Sequence, residues 1–285
     1  MLEILQKIRG AQKDNIPLGR PWKSGVVKKK RDREIIISLT SHPPRIRSTH
    51  LTVQTLLQQD MKPDRVILWL AKEQFPCPEK LPKKLLRLQK YGLEIRWYHD
   101  IRSYKKLVPT LKEFPDAIVV TVDDDIYYSR DMLRVLVEEH QKHPNEIICH
   151  AVTHPILGED GKLHINPNPG DYRGTSSYAN KMLGCAGILY PANLLDYEIF
   201  NEKLFMTEAP TNDDIYFWAM AVKKGTKIRL AQKAISNPWM TDAENQLQTS
   251  LGIYNLENNL YEQVNNRLME LYPEILERLM AESDS

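Results

Sequence analysis

The chain has 285 residues, enough for one large α/β domain or about two smaller ones, and long enough to bury a core without disulfide staples. Its composition, 42% hydrophobic, 27% charged and 8% aromatic, excludes collagen-like, disordered and low-complexity classes. The 39 Lys and Arg against 37 Asp and Glu leave a net charge of +2, too weak a field to recruit nucleic acid.

Residues 1–33 read as a peripheral segment. Leu2, Leu5 and Ile8 line one face of a short helix, and Pro17, Gly19, Pro21 and Gly25 break regular structure after it. The run Lys28-Lys29-Lys30-Arg31 reads first as a solvated basic tail.

Residues 34–240 read as the main domain. Ile35-Ile36-Ile37-Ser38-Leu39-Thr40 is a β-branched run and predicts a buried strand ending in the polar loop Ser41–Arg45. Leu51, Val53, Leu56 and Leu57 predict a helix over 48–59, and Arg65–Ala71 a second strand. Leu81, Leu85 and Leu88 form a helical stripe among lysines. Leu93–Tyr98 is a third strand, and Ala117–Val122 a fourth. Short apolar strands alternating with helical patterns predict a mostly parallel sheet covered on both faces. Ligands of such sheets bind at the carboxyl ends of the strands.

Residues 153–180, rich in Pro, Gly, Asn and Ser, read as a loop or lid. Gly184–Pro191 reads as a tight glycine-flanked strand, and Asp213–Lys224 as a helix stopped by Gly225. Residues 241–285 read as a helical extension, with Leu260, Val264, Leu268 and Leu271 at helical spacing and Pro273 as an interruption.

The chemistry concentrates at strand ends. Asp123-Asp124-Asp125 follow the fourth strand, and three adjacent carboxylates at a buried strand end repel one another unless a cation or donors neutralise them. Hard oxygen ligands of this kind suit Mn²⁺ or Mg²⁺, with substrate phosphates completing the shell. Asp213-Asp214 precede an apolar helix, where they either cap it or offer a general base. The segment His99–Lys106, with Asp100 and Lys105, follows the third strand and offers one carboxylate for a base or ribose edge and cations for phosphates. His150 and His154 flank a further strand end and read first as packed histidines. No G-x-x-x-x-G-K-[ST], G-x-G-x-x-G or G-x-S-x-G occurs.

The order of these features resembles the nucleotide-sugar-dependent glycosyltransferases of the GT-A type, over residues 34–240. Ile36–Thr40 resembles that family's first strand, Asp123-Asp124-Asp125 its D-x-D motif, and Gly184–Pro191 its glycine-containing strand. Asn212-Asp213-Asp214-Ile215 with Gly225 beyond the helix is similar to the acidic pair and trailing glycine of the inverting enzymes. Asp213 stands where the family has Glu, and Met220 and Val222 where basic residues are common. The resemblance implies a GT-A-like α/β fold and an inverting, hexosyltransferase-like enzyme of polysaccharide or glycolipid synthesis. It implies Mn²⁺ or Mg²⁺ on Asp125 and Asp123, and Asp214 as the base with Asp213 beside it. The donor, a UDP-sugar by preference, is expected on Thr40, Ser41, Arg45, Asp100, Lys105, Asp123, Asp124 and Gly187. The acceptor is a glycan or a lipid-linked glycan. Two other readings fit the same acidic motif: a haloacid-dehalogenase-like Mg²⁺ phosphatase with Asp123 as nucleophile, and a non-catalytic nucleotide-sugar-binding scaffold.

The expected location is cytoplasmic, at the inner face of a membrane where Lys28–Arg33 and Lys80–Lys90 meet anionic lipid. No signal-peptide core is visible, and no apolar run approaches the roughly 18 residues of a spanning helix. Cys77, Cys149 and Cys185 are odd in number and widely spaced, which favours free thiols over disulfides or a zinc knuckle.

Overall fold

A computed structural model describes residues 15–21, 23–29, 31–166, 170–235, 239–242 and 250–283; the Leu2, Leu5 and Ile8 stripe lies outside them. Eight strands form one sheet: β1 (Ile35–Thr40), β2 (Arg65–Ala71), β3 (Leu93–Tyr98), β4 (Ile118–Thr121), β5 (Ile147–Cys149), β6 (Ser176–Ser177), β7 (Ile188–Tyr190) and β8 (Ile228–Leu230). Their spatial order is β6-β8-β5-β7-β4-β1-β2-β3. β1 pairs in parallel with β2 and β4, β2 with β3, and β8 with β5. β7 runs antiparallel between β4 and β5, and β6 antiparallel along the edge. The sheet is therefore mostly parallel. β2 and β3 lie on one side of β1 and β4 on the other, so the chain reverses direction there and leaves a crevice at the carboxyl ends of β1 and β4.

The flanking helices are α1 (Thr49–Leu56), α2 (Val108–Glu113), α3 (Met132–Lys142), α4 (Asp213–Lys224), α5 (Leu251–Glu257), α6 (Leu260–Leu271) and α7 (Pro273–Ser283). Strand alternation splits the core between the two faces. Ile35, Ile37 and Leu39 of β1 share one cluster with Val53 and Leu56 of α1 and Leu133 and Leu136 of α3. Ile36, with Val119 and Ile147, shares the other with Val108 of α2 and Trp218 of α4. Every residue of α4 from Ile215 to Val222 is buried, so this helix is the centre of its layer rather than a surface element. Gly225 ends α4 in the left-handed region at φ 86°, where glycine carries no Cβ penalty.

The C-terminal segment is helical as expected, in three pieces. Val264, Leu268 and Met269 of α6 and Ile275 and Leu279 of α7 join the cluster around α4. Residues 153–166 and 170–180 are more ordered than a loop. Ile156–Leu157 pairs with Leu163–His164, Val152–Thr153 pairs with Lys181–Met182, and β6 closes the sheet edge. Each of these strands has two residues, too few for a pattern of alternation to appear in the sequence. The lysine-rich Leu81–Leu88 stretch is one short helical turn, Lys83–Leu86, flanked by 3₁₀ turns. Among the described residues no helix is long and apolar enough to cross a membrane.

Trp218 is fully buried, and its Nε1–H donates to the Tyr178 carbonyl at 2.8 Å, which fixes α4 against the chain leading into Lys181–Met182. Trp218→Ala is expected to lower stability in denaturant titration by about 3–5 kcal/mol, as a large cavity with a lost hydrogen bond does. Leu18 is 65% exposed, and Leu18→Ala is the control expected within about 0.5 kcal/mol of the parent.

Candidate active site

β4 runs through Val122 into Asp123-Asp124-Asp125, and the three carboxylates have different surroundings. Asp124 is buried: it accepts hydrogen bonds from Ser41 Oγ and from Thr49 Oγ1 at 3.4 Å, and meets Arg45 Nη1 at 3.3 Å. Its carbonyl accepts from Thr52 Oγ1 at 2.8 Å. Asp124 thus clamps the loop after β1 to the start of α1, with its side chain only 6% exposed. Asp125 meets Arg45 Nη1 at 2.7 Å, and Thr241 N–H donates to its carbonyl at 2.8 Å. Asp123 is the most open of the three, with 31% of its side chain exposed.

Lys106 joins Asp123 to the distant acidic pair. Its buried Nζ lies 3.0 Å from Asp123 Oδ1, 2.9 Å from Asp213 Oδ2 and 3.3 Å from Asp214 Oδ1. Burial by itself lowers the pKa of this ammonium, but the three carboxylates outweigh it and hold the pKa well above the ordinary lysine value. Asp213, on the first turn of α4, also accepts from Ser103 Oγ at 2.8 Å. Asp214 Oδ2 accepts from the Gly184 N–H at 2.7 Å. The Asp214 pKa is raised to about 6, first by desolvation, with Asp213 and Asp123 adding to the rise and Lys106 and the Gly184 N–H opposing it. Its side chain keeps 28% of its surface open, so the carboxyl is desolvated by surrounding atoms yet reachable from the crevice.

The turn before β7 is fitted to this cluster. A Cβ on Gly184 would stand 2.7 Å from both Asp214 Oδ1 and Lys106 Nζ, so only glycine lets the backbone approach the carboxylate. The buried Tyr128 hydroxyl accepts from the Asp123 N–H at 2.9 Å and donates to the Cys185 carbonyl at 3.0 Å, tying the aspartate turn to the glycine turn. Gly187, the glycine expected at the site, sits elsewhere. Its φ of 102° requires glycine, and the atoms closest to an added Cβ belong to Met132, His150 and Leu136 on the α3 side.

The remaining expected residues form a second group beyond β1 and β3. Lys105 Nζ donates to Asp100 Oδ1 at 2.5 Å and to the Arg102 carbonyl at 2.7 Å, and its residue is 2% exposed. Its ammonium is thus turned inward, onto Asp100, while the Asp100 side chain remains 29% exposed. His42 stands between this pair and the triplet: burial lowers its pKa most, and Asp124, Arg45, Lys105 and Asp100 all act on it. Thr40 Oγ1 donates to the Trp69 carbonyl at 2.9 Å across β2, and Ser41 is committed to Asp124.

His150 is a core histidine, fully buried, with Nδ1 accepting from Ile235 N–H at 3.1 Å and Nε2 on the Met132 carbonyl at 3.0 Å. Burial takes its pKa to about 4. His154 stacks on Tyr172 at 4.3 Å and pairs with Asn180. In the basic N-terminal run Lys28, Lys29 and Arg33 are exposed, while Arg31 is bound to Asp64 at 2.7 Å.

Sequence reasoning gave no individual role to Lys106, Gly184, Tyr128 or His42, although Lys106 lies in the segment after β3 expected to offer cations to phosphates and Gly184 opens the expected glycine strand. Lys105 and Lys106 are adjacent on one 3₁₀ turn, about 120° apart, so their side chains diverge to different carboxylates. No pattern in the sequence says which lysine goes where. The residues present suit a divalent cation. Among the described residues Lys106 and Arg45 face five carboxylates between them, and a diphosphate ligand would bring further negative charge that a divalent cation offsets. Among the described residues no three His, Cys, Asp or Glu side chains converge on one point.

No family model matches the chain, and no curated protein matches it in sequence. Similar solved structures include the mannosyltransferase PcManGT from Pyrobaculum calidifontis in complex with GDP-Man and Mn²⁺, at 15% identity over 53% of this chain, with a TM-score of 0.35. This match spans 43% of the mannosyltransferase, less than half its length. S. aureus TarS 1–349 is similar at 14% identity over 87% of this chain and 72% of its own, with a TM-score of 0.49. CMP:2-keto-3-deoxy-manno-octonic acid synthetase complexed with CTP is similar at 12% identity over 80% of this chain and 100% of its own, with a TM-score of 0.47. At these identities the likeness is one of fold alone.

Proposed function

We propose that the chain is a GT-A-type glycosyltransferase that moves a sugar from a nucleoside diphosphate sugar, a UDP-sugar by preference, to an acceptor hydroxyl with inversion, and that Asp214 is its base. The observation that carries this reading is the Lys106 cluster. It sets a reachable carboxylate with pKa about 6 beside the most open aspartate of a strand-end triplet, in the crevice where a mostly parallel sheet takes its ligand.

At neutral pH Asp214 is mostly ionised. The Gly184 N–H holds one oxygen and Lys106 faces the other, so the carboxylate is oriented without being consumed by a single strong pair. It takes the proton of the acceptor hydroxyl as that oxygen bonds to the anomeric carbon and the carbon–oxygen bond to the diphosphate breaks. Asp213, held by Ser103 and Lys106, keeps the start of α4 in place. Asp123 faces the donor sugar and ribose. Arg45, Asp100 and Lys105, with Thr40 and Ser41, form the nucleotide end, where Lys105 orients Asp100. A divalent cation on Asp125 and Asp123 supplies Lewis-acid stabilisation of the departing diphosphate.

The direct test follows thermal shift and nucleotide diphosphate release over a panel of nucleotide sugars with Mn²⁺. No shift and no release with any donor would sink the reading. Excess EDTA is expected to abolish release and added Mn²⁺ to restore it, and Asp125→Asn to lower it; full activity in EDTA removes the cation from the mechanism. Asp214→Asn is expected to keep the donor-induced shift and to lose on the order of 10²–10⁴ in rate. In the parent enzyme the rate should rise with pH through about 6, because protonation below that value disables Asp214. Lys106→Met removes the cation that opposes the rise of the Asp214 pKa. Its acidic limb should therefore move to higher pH, and stability should fall by about 3–5 kcal/mol as buried carboxylates lose their partner. An unmoved limb would show that Lys106 does not act on the base.

A further inference from the structure

Among the described residues three lysines are buried, and the protein neutralises two of them. Lys105 has Asp100 at 2.5 Å, and Lys106 has three carboxylates within 3.3 Å. Lys181 is 8% exposed, and among the described residues its Nζ has only the Asn265 side-chain oxygen, at 3.4 Å, and no carboxylate in ion-pair range. Its place in the fold is well determined. The Lys181–Met182 strand pairs with Val152–Thr153, packs on α4 and leads after Leu183 to Gly184, whose N–H holds Asp214. From the other side α6 brings Asn265, which is itself 3% exposed.

Burial without a counterion takes the Lys181 pKa down to about 8, with Asp214 pulling it upward, so the group is still mainly an ammonium at neutral pH. The half-buried Tyr261, four residues before Asn265 on α6, feels the Asp214 charge as Lys181 does. A buried cation with one long amide contact and, among the described residues, no carboxylate in range calls for a negative charge that arrives with a ligand.

We infer that Lys181 and Asn265 form an anion subsite on the acceptor side of Asp214, so that the acceptor carries a fixed negative charge, a phosphate ester or a carboxylate, close to its reacting hydroxyl. This rests on the glycosyltransferase reading for the word acceptor: a base lies opposite the leaving diphosphate, and Lys181 is placed with the base.

The test compares two charged probes with their neutral counterparts: sn-glycerol 3-phosphate with glycerol, and methyl β-D-glucuronide with methyl β-D-glucoside. Each is titrated by calorimetry into the full chain, with and without UDP and Mn²⁺. At least one charged probe is expected to bind about tenfold or more tighter than its neutral partner, the size of one charge-assisted hydrogen bond. Preference in the first pair alone identifies a phosphate ester, and in the second alone a carboxylate. Lys181→Met is expected to erase the preference while leaving UDP affinity unchanged. Asn265→Asp keeps the lysine and gives it an internal counterion, so it should erase the preference too, which guards against a fold defect in the first variant. Equal binding of charged and neutral probes to the parent, or a preference that survives both substitutions, overturns the subsite. Absence of UDP binding with the anion preference intact would instead strike the glycosyltransferase reading and leave the subsite standing.

Discussion

The ammonium of Lys106 is the interaction on which the site depends. Asp123 ends a strand, and Asp213 and Asp214 begin a helix about ninety residues later. Their carboxylates would repel one another if brought together bare. One buried cation within 3.3 Å of all three makes the juxtaposition stable and opposes the rise that burial gives the Asp214 pKa. The cluster is not a simple salt bridge, because one positive charge faces three carboxylates.

The sheet supplies the rigidity this arrangement needs. Asp124 is bound through both its side chain and its carbonyl to residues of the β1–α1 segment, so the two parallel strands flanking the crevice are locked at their carboxyl ends. Tyr128 crosses from the aspartate turn to the glycine turn before the antiparallel strand β7. α4, buried on all sides between sheet and C-terminal helices, carries the acidic pair on its first turn. Charged groups that face one another across so short a distance keep productive geometry only when each sits on an element that cannot move independently.

The C-terminal helices do more than cover apolar surface. Through Val264 and Leu268 α6 completes the core around α4, through Asn265 it meets Lys181, and through Tyr261 it puts a phenol within reach of the Asp214 charge. One helix thereby couples packing to the chemistry of the crevice.

The local pattern determined much. The β-branched run Ile35–Thr40, the strands Arg65–Ala71 and Leu93–Tyr98, and the helix Asp213–Lys224 with its glycine stop are legible because each buries a continuous or periodic apolar set whose period is a property of the chain itself. The acidic groups were legible for a related reason: carboxylates at the end of an apolar strand or the start of an apolar helix conflict with their surroundings. What the tertiary structure decided was the pairing. Two adjacent lysines on one turn face different carboxylates, and Asp124 became a clamp while Asp123 stayed open. Gly184 rather than Gly187 met the acidic pair, and Lys181 was left beside Asn265 instead of a carboxylate. Apart from Lys105 on Asp100, five residues away, these are contacts between segments roughly twenty to one hundred residues apart. Their partners are fixed by sheet order and helix packing in three dimensions, for which spacing along the chain carries no signal.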